Sequence, residues 1–96
     1  MLDIDSEPGL LRLTGRLDAA QAIRAEPIFD GIDTHTVVDM ALLEYISSAG
    51  LGLLLKTHKR LLGQGGGLKL VQVNPHIVDI LHYSGFDRLF EVVPGE

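Results

Sequence analysis

The chain has no cysteine, so it can build neither a disulfide framework nor a thiolate nucleophile. It is also short of positive charge, with 8 Lys and Arg against 13 Asp and Glu and a formal net charge of −5. Binding to a phosphate backbone needs clustered Lys and Arg, and this balance argues against direct contact with nucleic acid. No apolar run approaches the roughly 18 residues that a bilayer-crossing helix needs, so no membrane insertion is expected. The opening residues Met1-Leu2-Asp3-Ile4-Asp5 carry neither a basic region nor an apolar signal segment, which makes the cytoplasm the expected compartment.

Catalytic and metal-binding patterns are equally scarce. Four histidines are present, His35, His58, His76 and His82. His76 and His82 are six apart on one helix, not at the four-residue spacing that aligns two metal ligands. Without cysteine or a convincing carboxylate partner, no metal and no cofactor are expected. The Gly-x-Ser-x-Gly pattern of a hydrolase elbow does not surround Ser47 or Ser48, so no catalytic residue is assigned and the chain reads as a non-enzyme. The run Gly63-Gln64-Gly65-Gly66-Gly67 follows a helix and precedes a strand. A phosphate loop has the opposite order, and the run reads as a helix stop and turn.

What is present is one compact domain, residues 1–96, with 46% hydrophobic residues to make a core. Leu2–Asp5 and Leu10–Thr14 read as strands joined by Ser6-Glu7-Pro8-Gly9, where Pro then Gly suits a type II turn. Leu11 and Leu13 should face inward. Asp18 can cap a helix over Ala19–Glu26, with Gln21 in a capping-box-like position, and Pro27 should end or kink it. Ile28 and Phe29 should then pack on the sheet. A strand over Thr36–Leu42 follows, β-branched and apolar enough to be covered on both faces.

Next comes a polar corner and a helix. Ser47 and Ser48 stand where a helix wants a side-chain oxygen, and Ala49, Gly50 and Gly52 keep the first turn thin enough for another molecule to come close. The 3.6-residue period puts Leu51, Leu54, Leu55, His58, Leu61 and Leu62 on a buried face, with Lys56, Thr57, Lys59 and Arg60 outside it. Leu53 falls beside Gly52 and Lys56 on the outer side, as a candidate contact. Lys56, Lys59 and Arg60 complement the negative end of the helix dipole or offer an anion site. Leu68–Val73 is a further strand. Asn74-Pro75 starts a last helix with Ile77, Ile80, Leu81 and Ser84 inward and Gly85 as its left-handed stop, and a strand near Phe90–Val93 ends the chain. Helices between strands imply parallel pairs. The fold class is therefore α/β, a small sandwich with a mixed central β-sheet and helices packed against it.

Three fragments in order carry a resemblance: Gly15-Arg16-Leu17-Asp18, then Asp39…Tyr45-Ile46-Ser47-Ser48-Ala49-Gly50-Leu51, then Gly85-Phe86-Asp87-Arg88-Leu89-Phe90. Together they resemble the STAS domain of bacterial anti-sigma factor antagonists over nearly the whole chain. The resemblance implies the same STAS-like sandwich. It implies a partner, an anti-sigma factor of the ATP-binding serine kinase type, bound in the unphosphorylated state so that a sigma factor is released. Phosphorylation ends that interaction, and a phosphatase would restore it. Matching the family pattern places the phosphoacceptor at Ser48, with Ser47 as the alternative; Ser47 stands where the family usually has Asp. Joined to the thin first turn and the helical wheel, this gives an expected partner-binding surface of Ser47, Ser48, Ala49, Gly50, Gly52, Leu53 and Lys56. STAS-like domains also resemble accessory subunits of membrane transport or signalling assemblies, and in that role the serine need not be phosphorylated.

Overall fold

The computed structural model describes residues 1–95. Strands β1 (Leu2–Glu7) and β2 (Leu10–Leu17) are followed by α1 (Ala19–Asp30), β3 (Thr36–Ile46), α2 (Ser48–Leu62), β4 (Leu68–Val73), α3 (Pro75–Tyr83), a 3-10 turn at Phe86–Arg88 and β5 (Glu91–Pro94). The five strands lie in the order β1-β2-β3-β4-β5. β1 and β2 form an antiparallel hairpin and every later pair is parallel. The hairpin turns at Pro8-Gly9, with Gly9 at φ +78, the sign that the third position of a type II turn demands.

A sheet that adds its strands in sequence, through right-handed crossovers, keeps all its helices on one face. Burial agrees. Leu11, Leu13 and Leu17 of β2, Val38 and Met40 of β3, and Leu68, Leu70 and Val73 of β4 are at most 2% exposed. Their alternates are open or half-open: Arg12 and Thr14, Val37 and Asp39, Lys69 and Val71. The expectation that β3 is covered on both faces is thus corrected. Its outer face belongs to a charged surface on which Arg12 meets Asp5 and Glu7 (3.4 and 2.8 Å) and Lys69 meets Glu91 (3.4 Å).

β3 also runs on to Ile46, past the expected end at Leu42. It does so by taking two extra residues relative to β2, between Arg12↔Asp39 and Thr14↔Leu42 and again between Gly15↔Leu43 and Arg16↔Tyr45. Each bulge shifts the inward phase by one residue. The buried set therefore passes from Val38 and Met40 to Leu43 and then Ile46. Asp39 supports the first bulge by accepting the Ala41 N–H at 3.0 Å.

Two helices differ from their expected outlines. α1 does not stop at Pro27; it continues to Asp30, and Pro27 lies within it on the exposed side. The carbonyl freed by the missing N–H can be hydrated there, and Phe29, fully buried, anchors the last turn. Ile28 remains 42% exposed. In α2 the buried arc is rotated from the one drawn by periodicity: Leu53 is 6% exposed and Thr57 fully buried, whereas Leu62 is 56% exposed. The reason is that α2 packs on the sheet and on α1 at once. Leu53 faces α1, and the Thr57 hydroxyl donates to the Leu53 carbonyl at 2.9 Å, so its burial leaves no unpaired polar atom.

His58 ties the distal end of the molecule together. Its Nδ1 accepts the Leu68 N–H at 2.9 Å, so Nε2 carries the proton and donates to the Leu89 carbonyl at 2.7 Å. The ring lies against Phe90, centroids 4.6 Å apart. Gly85 takes the left-handed conformation (φ +78) that ends α3, as read from the sequence.

Leu53→Glu is expected to unfold or severely destabilise the protein, since it places an unpaired charge between two helices. His58→Ala should cost about 2–4 kcal/mol through the lost ring packing and two lost hydrogen bonds. Urea denaturation followed by circular dichroism checks both; full stability of either variant would contradict the packing described.

Candidate functional site

The C-terminal ends of β2, β3 and β4 feed the N-termini of α1, α2 and α3, so all three helix starts lie along one edge of the sheet. Each start is capped by a side chain accepting the N–H three residues on: Asp18 from Gln21 (2.9 Å), Ser47 from Gly50 (3.1 Å) and Asn74 from Ile77 (2.9 Å). Ser, Asp and Asn are the residue types that supply such a cap.

The two serines at the middle start have different jobs. Ser47 is the cap, in extended backbone conformation (φ −88, ψ 170). Its hydroxyl also donates to the Leu17 carbonyl at 3.2 Å, and its own N–H reaches the same carbonyl at 2.9 Å. The hydroxyl is therefore used as donor and acceptor. Ser48 is the first helical residue; it is exposed, and its hydroxyl has no hydrogen-bond partner among the described residues. The first turn of α2 contains no acidic side chain, and its leading N–H groups, those of Ser48 and Ala49, face the exposed end of the helix.

The flanking glycines separate in the same way. Gly50 is buried, and a Cβ there would come within 2.8 Å of Leu17 Cγ, 2.9 Å of Ile46 Cγ1 and 2.9 Å of the Leu17 carbonyl oxygen. Its smallness serves the chain's own packing, which corrects the expectation that it leaves room for another molecule. Gly52 is exposed and a Cβ on it would meet nothing within 4 Å. Ala49 is exposed beside Ser48. Leu53, expected on the outer side, is buried against α1 and reaches the surface only as the floor of the groove between α1 and α2.

Lys56 lies at the far end of that groove. It pairs with Glu26 at 3.0 Å and lies 3.7 Å from Asp30; the Glu26 hydrogen bond, reinforced by the charge of Asp30, holds its ammonium pKa above the ordinary lysine range. Arg60 donates to the Ile32 and Phe29 carbonyls at 2.7 and 2.9 Å, closing the C-terminal end of α1. Two members of the basic cluster are thus committed to internal partners rather than to an anion. On the outer face near the corner, the Arg16 guanidinium stacks over Tyr45, 4.5 Å from the ring centroid, a pair that sequence reasoning did not single out. It could have been found from the pairing of those two strand ends.

Among the described residues no group of histidine and carboxylate side chains is placed to hold a metal ion. The groove beside Ser48 is lined by no histidine. No helix is long and apolar enough to cross a membrane.

Residues 1–94 match the family described as "Mlab, STAS domain". A Bordetella bronchiseptica protein provisionally named anti-sigma factor antagonist BtrV is 34% identical over 97 aligned positions, covering 95% of this chain and 84% of its own length. The anti-sigma F factor antagonist of Paenibacillus polymyxa is 31% identical over 90 positions, covering 88% and 74%. Among solved structures, an anti-sigma factor antagonist from Mycobacterium paratuberculosis superposes with a TM-score of 0.82 at 23% identity, covering 98% of this chain and 85% of that one. The phosphorylated form of the Bacillus cell-fate determinant SpoIIAA does so with a TM-score of 0.67 at 19% identity, covering 96% and 90%. With its sheet order, its capped serine corner and these relatives in agreement, the chain belongs to the STAS domain family, in the company of the bacterial anti-sigma factor antagonists.

Proposed function

We propose that this protein is a cytoplasmic phosphoswitch: unphosphorylated, it binds an ATP-binding anti-sigma factor and frees a sigma factor, and phosphorylation of Ser48 by that kinase ends the interaction until a phosphatase reverses it. The observation that carries the reading is the division of labour between the two serines. Ser47 is spent on the fold, while the Ser48 hydroxyl is exposed at the helix start and has no hydrogen-bond partner among the described residues. That division favours Ser48 over Ser47 as acceptor, because a kinase must align a free hydroxyl and modification of Ser47 would break the cap.

A phosphate adds about −1.5 to −2 charges at neutral pH. At a helix N-terminus that charge faces unpaired N–H groups and the positive end of the dipole, so the fold tolerates it. The effect then falls on the interface, where bulk and charge enter the space that a partner needs over Ser48, Ala49 and Gly52. Loss of binding without loss of structure is the behaviour a reversible regulator requires.

The test uses the full chain and a purified ATP-binding anti-sigma factor encoded in the same genome. Incubation with ATP should add one phosphate by intact mass, absent in Ser48→Ala and retained in a variant altered only at Ala49. Ser48→Asp should weaken binding by about a hundredfold or more, roughly 2.7 kcal/mol, with a melting temperature within about 2 °C of wild type. Ser47→Ala should instead cost about 1 kcal/mol of stability. If Ser48→Ala and Ser48→Asp both bind like wild type and no phosphate is added, the switch is wrong. Tight binding with no phosphate transfer would point to a permanently docked subunit.

A further inference from the structure

Several of the chain's cations are engaged by the fold: Arg12 with Asp5 and Glu7, Lys56 with Glu26 and Asp30, Lys69 with Glu91, and Arg60 with two carbonyls. Arg16, exposed at the end of β2, is held differently. Its guanidinium lies over the Tyr45 ring, 4.5 Å from the centroid, and has neither an ion-pair nor a hydrogen-bond partner among the described residues.

The backbone on both strands departs from regular pairing to make this stack. Gly15, just before Arg16, takes φ +103, and a side chain there would strike the Met1 carbonyl. Across from it, β3 takes its second extra residue, passing from Gly15↔Leu43 to Arg16↔Tyr45. Regular pairing would have set Glu44 opposite Arg16, where cross-strand charges neutralise one another. The bulge sets an aromatic face there instead. Bulges re-aim side chains in this way beside functional sites. A guanidinium resting on a ring is steadied through one face, while its N–H edges stay free for a two-pronged bond to an anion. Less side-chain freedom is then lost when that bond forms.

The stack adjoins the serine corner. Arg16 precedes Leu17, whose carbonyl receives both the N–H and the hydroxyl of Ser47, and Tyr45 lies two residues before Ser47. A partner seated over Ser48 therefore has this cation at its margin. On a chain of net charge −5, an acidic partner surface is repelled in general, so the point where a carboxylate is accepted sets register and identity.

We propose that Arg16, steadied on Tyr45, forms a two-pronged ion pair with an Asp or Glu of the ATP-binding anti-sigma factor and so determines which partner is accepted. The assignment rests on the reading of Ser48 as partner-facing and deepens it. The anion is a protein carboxylate and not a nucleotide phosphate, because a phosphoryl group in transfer has to lie against Ser48 at the start of α2. The stack keeps the guanidinium on the face of the sheet turned away from the helices. A partner with a cation at the matching point is rejected.

The experiment is titration calorimetry of the full chain against the same purified anti-sigma factor at low and high salt. Arg16→Ala should lower affinity about tenfold and flatten its salt dependence, and Arg16→Glu about a hundredfold. Arg16→Lys, which keeps the charge but not the fork, should not restore wild-type affinity. All three should melt within about 2 °C of wild type. Replacing the partner's exposed Asp and Glu by Arg, one at a time, should yield one variant that binds Arg16→Glu better than it binds the unaltered chain. If Arg16→Ala and Arg16→Glu bind like wild type while Ser48→Asp does not, Arg16 is outside the interface and the switch stands. If Ser48→Asp also binds like wild type, both ideas fall. If Arg16→Ala keeps its affinity but slows phosphate addition to Ser48, or if it lowers the melting temperature by several degrees, the guanidinium serves the transferred phosphate or the fold and the proposal is overturned.

Discussion

One hydroxyl holds the corner on which everything else depends. Ser47 Oγ donates to the Leu17 carbonyl and accepts from the Gly50 N–H, joining the end of β2, the end of β3 and the first turn of α2. A carboxylate at the same position, as the family pattern usually has, could accept from Gly50 but could not donate to Leu17. Here the neutral side chain does both. The consequence is positional. With Ser47 fixed from two sides, and Gly50 pressed against Leu17 and Ile46, the orientation of the next residue is no longer free, and Ser48 is held outward.

The same device recurs along the edge. Asn74 caps α3 through its oxygen and, through its amide nitrogen, donates to the Leu43 carbonyl at 2.8 Å. Both α2 and α3 are therefore tied at their starts to a carbonyl on the strand beside the one that leads into them, β2 for α2 and β3 for α3. The bulges in β3 make this possible. They lengthen that strand at its C-terminal end and bring Leu43 and then Ile46 back into the core. An unbulged strand of this length would have one of its ends facing solvent with the wrong side chains. The serine edge is thus cross-linked by side chains that reach from helix starts to neighbouring strands, which fixes the shape of that surface.

Much of this edge was legible in the sequence because caps and turns are written locally. The capping bonds of Asp18, Ser47 and Asn74 and the left-handed stop at Gly85 act within four residues and agree with the sequence reading, which left the cap open between Ser47 and Ser48. The bonds of Ser47 to Leu17 and of Asn74 to Leu43 span 30 and 31 residues and are not written locally. Features that depend on what lies across from a residue were not legible. Gly50 and Gly52 are identical in sequence terms, yet one is walled in by Leu17 and the other is open. The helical wheel of α2 assumed one buried face, whereas a helix wedged between a sheet and a second helix buries a wider arc, taking in Leu53 and Thr57 and releasing Leu62. The local meaning of Pro27 is a stop or a kink, but the helix continues through it to Asp30, with Phe29 buried two residues later. β3 was read as doubly covered from its apolar residues. Nothing in β3 itself records that all three crossovers fall on one side.

The placement of the cations bears on how a phosphate at this corner would behave. Phosphoserines that order a segment do so by pairing with arginines that have nothing else to bind. Here Arg60 closes the C-terminal end of α1 and Lys56 serves Glu26 and Asp30, both beyond the first two turns of α2. A helix rises about 1.5 Å per residue, which puts Lys56 about 12 Å along the axis from position 48. What the first turn of α2 itself offers at Ser48 is backbone N–H groups and the helix dipole, which salt and water attenuate. A phosphate held that loosely would stay exposed, change the surface without remodelling the chain beneath it, and remain open to hydrolysis by a second enzyme, as the proposed switch requires. With Lys56 and Arg60 engaged elsewhere, the proposed phosphate on Ser48 would act as a removable charge rather than as a structural element.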